Sequence, residues 1–215
     1  MSGIPDRKKE HTFFYTLARF VTRLTVRGGM FPVHVTGAEK IHSLQAPAIL
    51  IANHRSMMDP LVIASHCPYE IRFLGKKELT AKKAGAFLFN ALHMIPVSRH
   101  ETDLTAMRAC VKALKEGYIL GVFPEGTRCR DTLMEKPETG VAMIALRSGA
   151  PLLPVYIDEK PRFLRRTWAY AGDPIEYGDL SARGISKETA EELTQRIRET
   201  FYRLRDENEK EKNRS

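Results

Sequence analysis

His54 and Asp59 are an imidazole and a carboxylate five residues apart, in the stretch Ala52-Asn53-His54-Arg55-Ser56-Met57-Met58-Asp59-Pro60. On a regular helix five steps of about 100° would leave them about 140° apart. In a turn leaving a strand they can meet. An aspartate that accepts from one ring nitrogen fixes the imidazole tautomer and stabilises the imidazolium, so the other nitrogen can take a proton from a hydroxyl. General-base help of this kind contributes about 10²–10⁴-fold. No G-x-S-x-G or comparable nucleophile motif accompanies the pair, so the hydroxyl expected is a substrate's own. The same residues also have a plain structural use. Asp59 before Pro60 suits a helix N-cap with proline at the first helical position, and His54 is then an ordinary loop histidine.

A second stretch is Val122-Phe123-Pro124-Glu125-Gly126-Thr127-Arg128-Cys129-Arg130. Proline and glycine force a tight loop, and Gly126 lets the backbone approach a ligand. Arg128 and Arg130 present planar forks that suit phosphate, and Thr127 adds a hydroxyl donor. On these residues alone a basic surface turn is an equal reading. In Gly75-Lys76-Lys77-Glu78-Leu79, the two lysines read as solvated. In Ile95-Pro96-Val97-Ser98-Arg99-His100, Arg99 follows a short strand, which sets a cation on the same rim as His54 and Arg128 if the sheet is parallel. Ala150-Pro151-Leu152-Leu153-Pro154-Val155-Tyr156-Ile157 reads as a buried strand punctuated by proline.

Short apolar runs that alternate with amphipathic stretches must position these residues. Strands are expected at Phe31–Val35, Ala46–Ala52, Ile71–Leu74, Met94–Val97, Tyr118–Phe123 and Leu152–Ile157, with an edge strand at Thr167–Ala171. Helices are expected at Pro60–Ser65, Glu78–Leu92, Leu104–Lys115, Gly140–Arg147 and Ser186–Arg205, the last with a capped start at Ser186. This alternation predicts an α/β fold, a mostly parallel central sheet flanked by helices, with functional residues in loops leaving the carboxyl ends of strands. Ahead of it, Phe13, Phe14, Leu17, Phe20, Val21 and Leu24 recur at helical spacing between His11 and Arg27. Arg19, Arg23 and Arg27 form a separate basic stripe, and Gly28-Gly29 ends the helix. Residues 1–30 therefore read as an amphipathic helical element. Residues 31–205 read as the main domain, and 206–215 as a charged tail that frays.

The chain has 215 residues, enough for one domain that needs neither disulfides nor metal to fold. Thirty-four Lys and Arg against 26 Asp and Glu leave a net charge of +8. That charge admits nucleic acid, an anionic membrane surface or a phosphorylated substrate. No zinc-finger, RNP or helix-turn-helix signature is present and the basic residues are spread out, which argues against nucleic acid. The longest stretch free of Asp, Glu, Lys and Arg, Ala84–Ser98, is 15 residues and contains Asn90, His93 and Pro96, so no spanning helix is expected. No signal peptide is expected either. Cys67, Cys110 and Cys129 have no metal-like spacing, and their odd number fits a reducing compartment.

Taken together, NHRSMMD at 53–59, VSR at 97–99, FPEGTR at 123–128 and PLLPVYI at 151–157 resemble, in order and spacing, the four blocks of the 1-acyl-sn-glycerol-3-phosphate acyltransferase family, the glycerolipid acyltransferases with a His-x4-Asp motif. The resemblance implies that His54 is the general base and Asp59 its support. It implies that Arg99, Glu125, Gly126, Thr127 and Arg128 bind the glycerol-phosphate acceptor. Lys76 resembles the family's lysine ahead of Glu-Leu, and Cys129 stands where the family usually has serine. The implied reaction moves a fatty acyl group from acyl-coenzyme A or acyl carrier protein to the sn-2 hydroxyl of lysophosphatidate. It needs no metal or organic cofactor and takes place on the cytoplasmic face of a membrane, where the resemblance implies that residues 1–30 are the amphipathic membrane-docking element. A helix packed on the protein's own core is the plainer alternative. Another lysolipid or glycerol 3-phosphate as acceptor stays open, as does a non-catalytic basic protein that binds membrane lipid.

Overall fold

The computed structural model describes residues 13–81, 83–98, 103–129 and 132–214. In chain order the elements are α1 (Phe13–Arg27), β1 (Val33–Thr36), α2 (Ala38–His42), β2 (Ala48–Ala52), α3 (Asp59–His66), β3 (Ile71–Lys76), α4 (Lys83–Ala91), β4 (Ile95–Val97), α5 (Leu104–Lys115), β5 (Ile119–Val122), α6 (Gly140–Ser148), β6 (Leu152–Ile157), β7 (Thr167–Ala171), α7 (Gly178–Ala182) and α8 (Lys187–Lys212).

β2 shows why the sheet lies in the middle. Its five residues, Ala-Ile-Leu-Ile-Ala, are all buried. Side chains alternate across a strand, so Ile49 and Ile51 face one core with Leu114, Ile144 and Phe201, while Ala48, Leu50 and Ala52 face another with Ile41 and Ile63. A strand that is apolar on both faces needs helices on both, which is the signature of a buried parallel sheet. Accordingly α5, α6 and α8 cover one face, and α2 and α3 the other. Seven strands lie in the order β1-β7-β6-β2-β5-β3-β4. The five from β6 to β4 run parallel, so their carboxyl ends form one edge. β7 is antiparallel to β6 and parallel to β1, so this pair runs the other way.

Three expectations are corrected. β7 is not an edge strand, because β1 lies outside it; strand order depends on pairings far apart in sequence. The segment after β3 begins as a 3₁₀ turn, Lys77–Ala81, before α4, so the helix expected from Glu78 is broken. The tail from Asp206 does not fray at that point, since α8 continues to Lys212. Its buried stripe of Ala190, Leu193, Ile197, Phe201 and Leu204 extends at helical spacing to a fully buried Asn208, and Lys212 pairs with Asp158 at 2.6 Å.

α1 packs against α3. It buries Tyr15, Thr22 and Val26, and the Tyr15 hydroxyl accepts from the Ile71 N–H at 3.2 Å. Leu17, Phe20, Val21 and Leu24, four of the apolar positions picked out above, are instead 45–64 % exposed. No helix among the described residues is long and apolar enough to cross a membrane.

Candidate active site

The loop from β2 into α3 is held in shape by one carboxylate. Asp59 is fully buried, and its Oδ2 accepts from the Arg55 N–H at 2.6 Å, the Ser56 N–H at 2.6 Å and the His54 Nδ1 at 2.8 Å. The N-cap role open to Asp59 is not used. Asp59 is the first residue of α3, and its side chain turns back into the loop. This sharp reversal is what brings two residues of a His-x4-Asp spacing within hydrogen-bonding distance. Ser56 assists: it is buried, and its Oγ accepts from the Met58 N–H at 3.2 Å.

The histidine is pinned from three other directions. Its N–H donates to Glu125 Oε2 at 2.7 Å, its carbonyl accepts from the Cys129 N–H at 2.9 Å, and its ring stacks on Phe123 at 4.3 Å between centroids. With Nδ1 committed to Asp59, Nε2 has no partner among the described residues, and the side chain is 19 % exposed. An imidazole whose inner nitrogen faces a carboxylate and whose outer nitrogen is open has the arrangement a general base needs.

Phe123 continues the stack onto Phe73 at 6.1 Å. Gly121 makes room for it, because a β-carbon there would lie 2.4 Å from the Phe73 ring. The loop after β5 then closes as a turn, with the Gly126 N–H donating to the Phe123 carbonyl at 3.0 Å and Gly126 at φ 61°. The positive φ is why glycine occupies that position. Glu125 is buried, with Oε2 on His54 and Oε1 accepting from the Met134 N–H at 2.9 Å. Burial pushes its carboxyl above the ordinary range, opposed by those two backbone bonds.

Arg55 carries no role in the sequence reading, yet it ties the two loops together. Its guanidinium donates to the carbonyls of Cys129 at 3.0 Å and Thr132 at 3.1 Å. These partners are more than seventy residues away, so no local pattern signals them. The stacking role of Phe123 is likewise invisible in its sequence neighbourhood, where it appears only as part of a motif.

Thr127 and Arg128 are exposed at the end of the turn, and Lys76 is exposed at the end of β3. All three lie at or beyond the carboxyl ends of parallel strands, as His54 does. Arg128 and Lys76 have no partner among the described residues, whereas Glu125 and Gly126 are built into the loop itself. Arg99, and also Arg130, lie outside the described residues. A cavity of about 160 Å³ is lined by Glu125, Thr127, Cys129, Thr132, Glu135 and Lys136. It is smaller than the ~300–1,000 Å³ typical of small-molecule sites. Burial pushes the Cys110 thiol up to about 12 and raises the Cys129 thiol as well, so neither is a ready thiolate.

A family model described as Acyltransferase matches residues 32–158. The chain is 30 % identical over 191 residues to the 1-acyl-sn-glycerol-3-phosphate acyltransferase of Bacillus subtilis, covering 84 % of this chain and 92 % of that one. It is 24 % identical over 163 residues to the chloroplastic 1-acyl-sn-glycerol-3-phosphate acyltransferase LPAT1 of Arabidopsis thaliana, covering 70 % of this chain and 42 % of that one. Among solved structures it is similar to the 1-acyl-sn-glycerophosphate acyltransferase PlsC of Thermotoga maritima, with a TM-score of 0.71, 25 % identity, and 97 % and 84 % of the two chains covered.

Proposed function

Because the chain belongs to the acyltransferase family, we propose that it moves a fatty acyl group from an acyl thioester to the sn-2 hydroxyl of lysophosphatidate, giving phosphatidate for phospholipid synthesis. The observation that carries this reading is the 2.8 Å contact between His54 Nδ1 and Asp59 Oδ2 with Nε2 open. The acceptor is suggested by the names of the relatives, 1-acyl-sn-glycerol-3-phosphate acyltransferases, and by the cations Lys76 and Arg128 on the same edge. Arg99 is proposed as a third cation on sequence grounds alone.

His54 Nε2 takes the proton of the acceptor hydroxyl as its oxygen attacks the thioester carbonyl. Asp59 stabilises the imidazolium that forms. The tetrahedral intermediate collapses, the carbon–sulfur bond breaks, and the departing sulfur takes the proton back from His54. The products are the ester and a free thiol, and no acyl-enzyme is needed. Arg128, Thr127 and Lys76 hold the phosphate through charge-assisted bonds. Glu125 and Gly126 serve the acceptor indirectly, by fixing the loop that presents Thr127 and Arg128. Coenzyme A and acyl carrier protein are the donors proposed. We also place the enzyme on the cytoplasmic face of the membrane, attached peripherally by the exposed apolar side of α1, where the basic residues of the helix meet anionic headgroups.

Thiol release from acyl-coenzyme A and from acyl-acyl carrier protein, followed with lysophosphatidate, glycerol 3-phosphate, another lysophospholipid or no acceptor, tests the reading. Release that depends on lysophosphatidate is expected. Release with another acceptor alone reassigns the substrate, and none with any pair refutes the reaction.

A further inference from the structure

The connection from β6 to β7 leaves the same edge of the sheet as His54. Asn53, the residue before His54, brackets Ile157 at the end of β6, donating to its carbonyl at 2.8 Å and accepting from its N–H at 2.7 Å. Beyond this clasp the chain reaches a tight turn, Arg162-Phe163-Leu164-Arg165, closed by the Arg165 N–H on the Arg162 carbonyl at 3.2 Å. The two corner residues are apolar and turned to solvent, Phe163 61 % and Leu164 67 % exposed. Leu164 also sits at φ 55°, the third position of a turn, which ordinarily goes to glycine or asparagine. A leucine here costs backbone strain and gains no burial within the fold, and such an outlier points to use outside it.

The surroundings say what that use is. Lys160, Arg162, Arg165 and Arg166 are exposed around the tip against one exposed acid, Glu159, while Asp158 is neutralised by Lys212. The tip is bonded to the segment that follows α1. The Leu164 N–H donates to the Met30 carbonyl at 2.9 Å, Phe163 meets Phe31 edge-on at 6.0 Å, and the Phe31 N–H donates to the Thr25 carbonyl in the last turn of α1 at 2.9 Å. Met30 is 45 % exposed, so apolar side chains run from the tip to the open face of α1. Two apolar residues ringed by cations match the interface of an anionic bilayer, where acyl chains take the former and headgroups the latter.

We propose that residues 160–166 form a second membrane-contact element that inserts Phe163 and Leu164 into an anionic lipid surface and seats the carboxyl edge of the sheet, with His54, against it. This rests on the reading of the chain as an enzyme acting on a membrane lipid. It assigns the docking to a loop rather than to the amino-terminal helix alone.

The test is partitioning of the full-length protein onto vesicles of phosphatidylcholine with phosphatidylglycerol and onto phosphatidylcholine alone. Wild type is expected to prefer the mixed vesicles. Arg162→Glu, Arg165→Glu and Arg166→Glu together should weaken binding to them on the order of a hundredfold, from about one headgroup interaction lost per arginine. Leu164→Gly is the second variant. Glycine suits the positive φ, so thermal stability should hold or rise while partitioning falls about tenfold for the lost apolar side chain. The lone tryptophan, Trp168, lies 5.8 Å from the Arg166 guanidinium, so quenching of its emission by brominated lipid should fall with partitioning. Turnover of a short-chain, water-soluble lysophosphatidate should be unchanged in both variants, and turnover of vesicle-borne lysophosphatidate should drop. Partitioning equal to wild type in both variants overturns the proposal. So does intact partitioning with loss of acyl carrier protein as donor or of a dimer, which would make the tip a protein-docking surface. If wild type turns over no acceptor, the acyl-transfer reading fails, and the vesicle arm still decides the tip.

Discussion

Asp59 and Glu125 are both buried carboxylates that accept backbone N–H groups, and they do different work. Asp59 gathers its own loop around one oxygen and orients the imidazole. Glu125 spans two loops, with one oxygen on the His54 backbone and the other on that of Met134. Its raised carboxyl pKa has a consequence for stability. The folded chain holds this proton more tightly than the unfolded one. The stabilisation is therefore complete below the ordinary value of 4.5 and is lost as pH rises from there through the folded value. Glu125→Gln titrates nowhere. It should lose a backbone bond at every pH, yet its urea-unfolding free energy should improve relative to wild type as pH rises from the acid range to neutral. A difference that does not change with pH would contradict burial as the dominant influence on this group.

α8 shows at the element scale what a polar residue on an apolar stripe costs. Asn208 is fully buried, and neither its Oδ1 nor its Nδ2 has a partner among the described residues. An unpaired buried amide is destabilising by about 1–3 kcal/mol. Asn208→Leu is therefore expected to raise stability by about 1 kcal/mol after some overpacking, read as a higher melting temperature; a lower one would mean that the amide has a use in the fold. The same helix shows where sequence patterns run out. Leu104–Lys115 and Leu152–Ile157 are expected and found with the same bounds, because Asp103 caps the first and a continuous apolar run marks the second. The end of α8 lies beyond the pattern because its last residues are almost all charged, and the pairing of Lys212 with Asp158 that ties down the last turn is remote in sequence. The place of β7 inside β1 is not legible either, because strand order depends on remote pairing. The His-x4-Asp and Phe-Pro-Glu-Gly-Thr-Arg stretches stand out as motifs, whereas the bonds of Arg55 and the Phe123 stack exist only once the two loops are folded together.

The molecule as a whole is asymmetric. One edge of its sheet carries the imidazole and exposed cations, and the basic, apolar tip after β6 leaves the same edge and is bonded to the segment that follows α1. Such a body should meet a membrane with this edge. Phe20→Ser with Leu24→Ser, both more than 60 % exposed, should leave the melting temperature unchanged and reduce vesicle binding; unchanged binding would mean that α1 only packs on α3. Binding should also weaken as salt rises, because exposed charges are screened beyond about 8–10 Å at physiological ionic strength. The chemistry at that edge depends on one side chain. His54→Ala keeps both backbone bonds of residue 54, to Glu125 and from Cys129, so the variant should fold with its loops in place. The decisive measurement is its turnover of a water-soluble lysophosphatidate with an acyl thioester, alongside its melting curve. A fall of about 10²–10⁴-fold in a folded protein is predicted, and a rate within about twofold of wild type would contradict a general-base role for this imidazole.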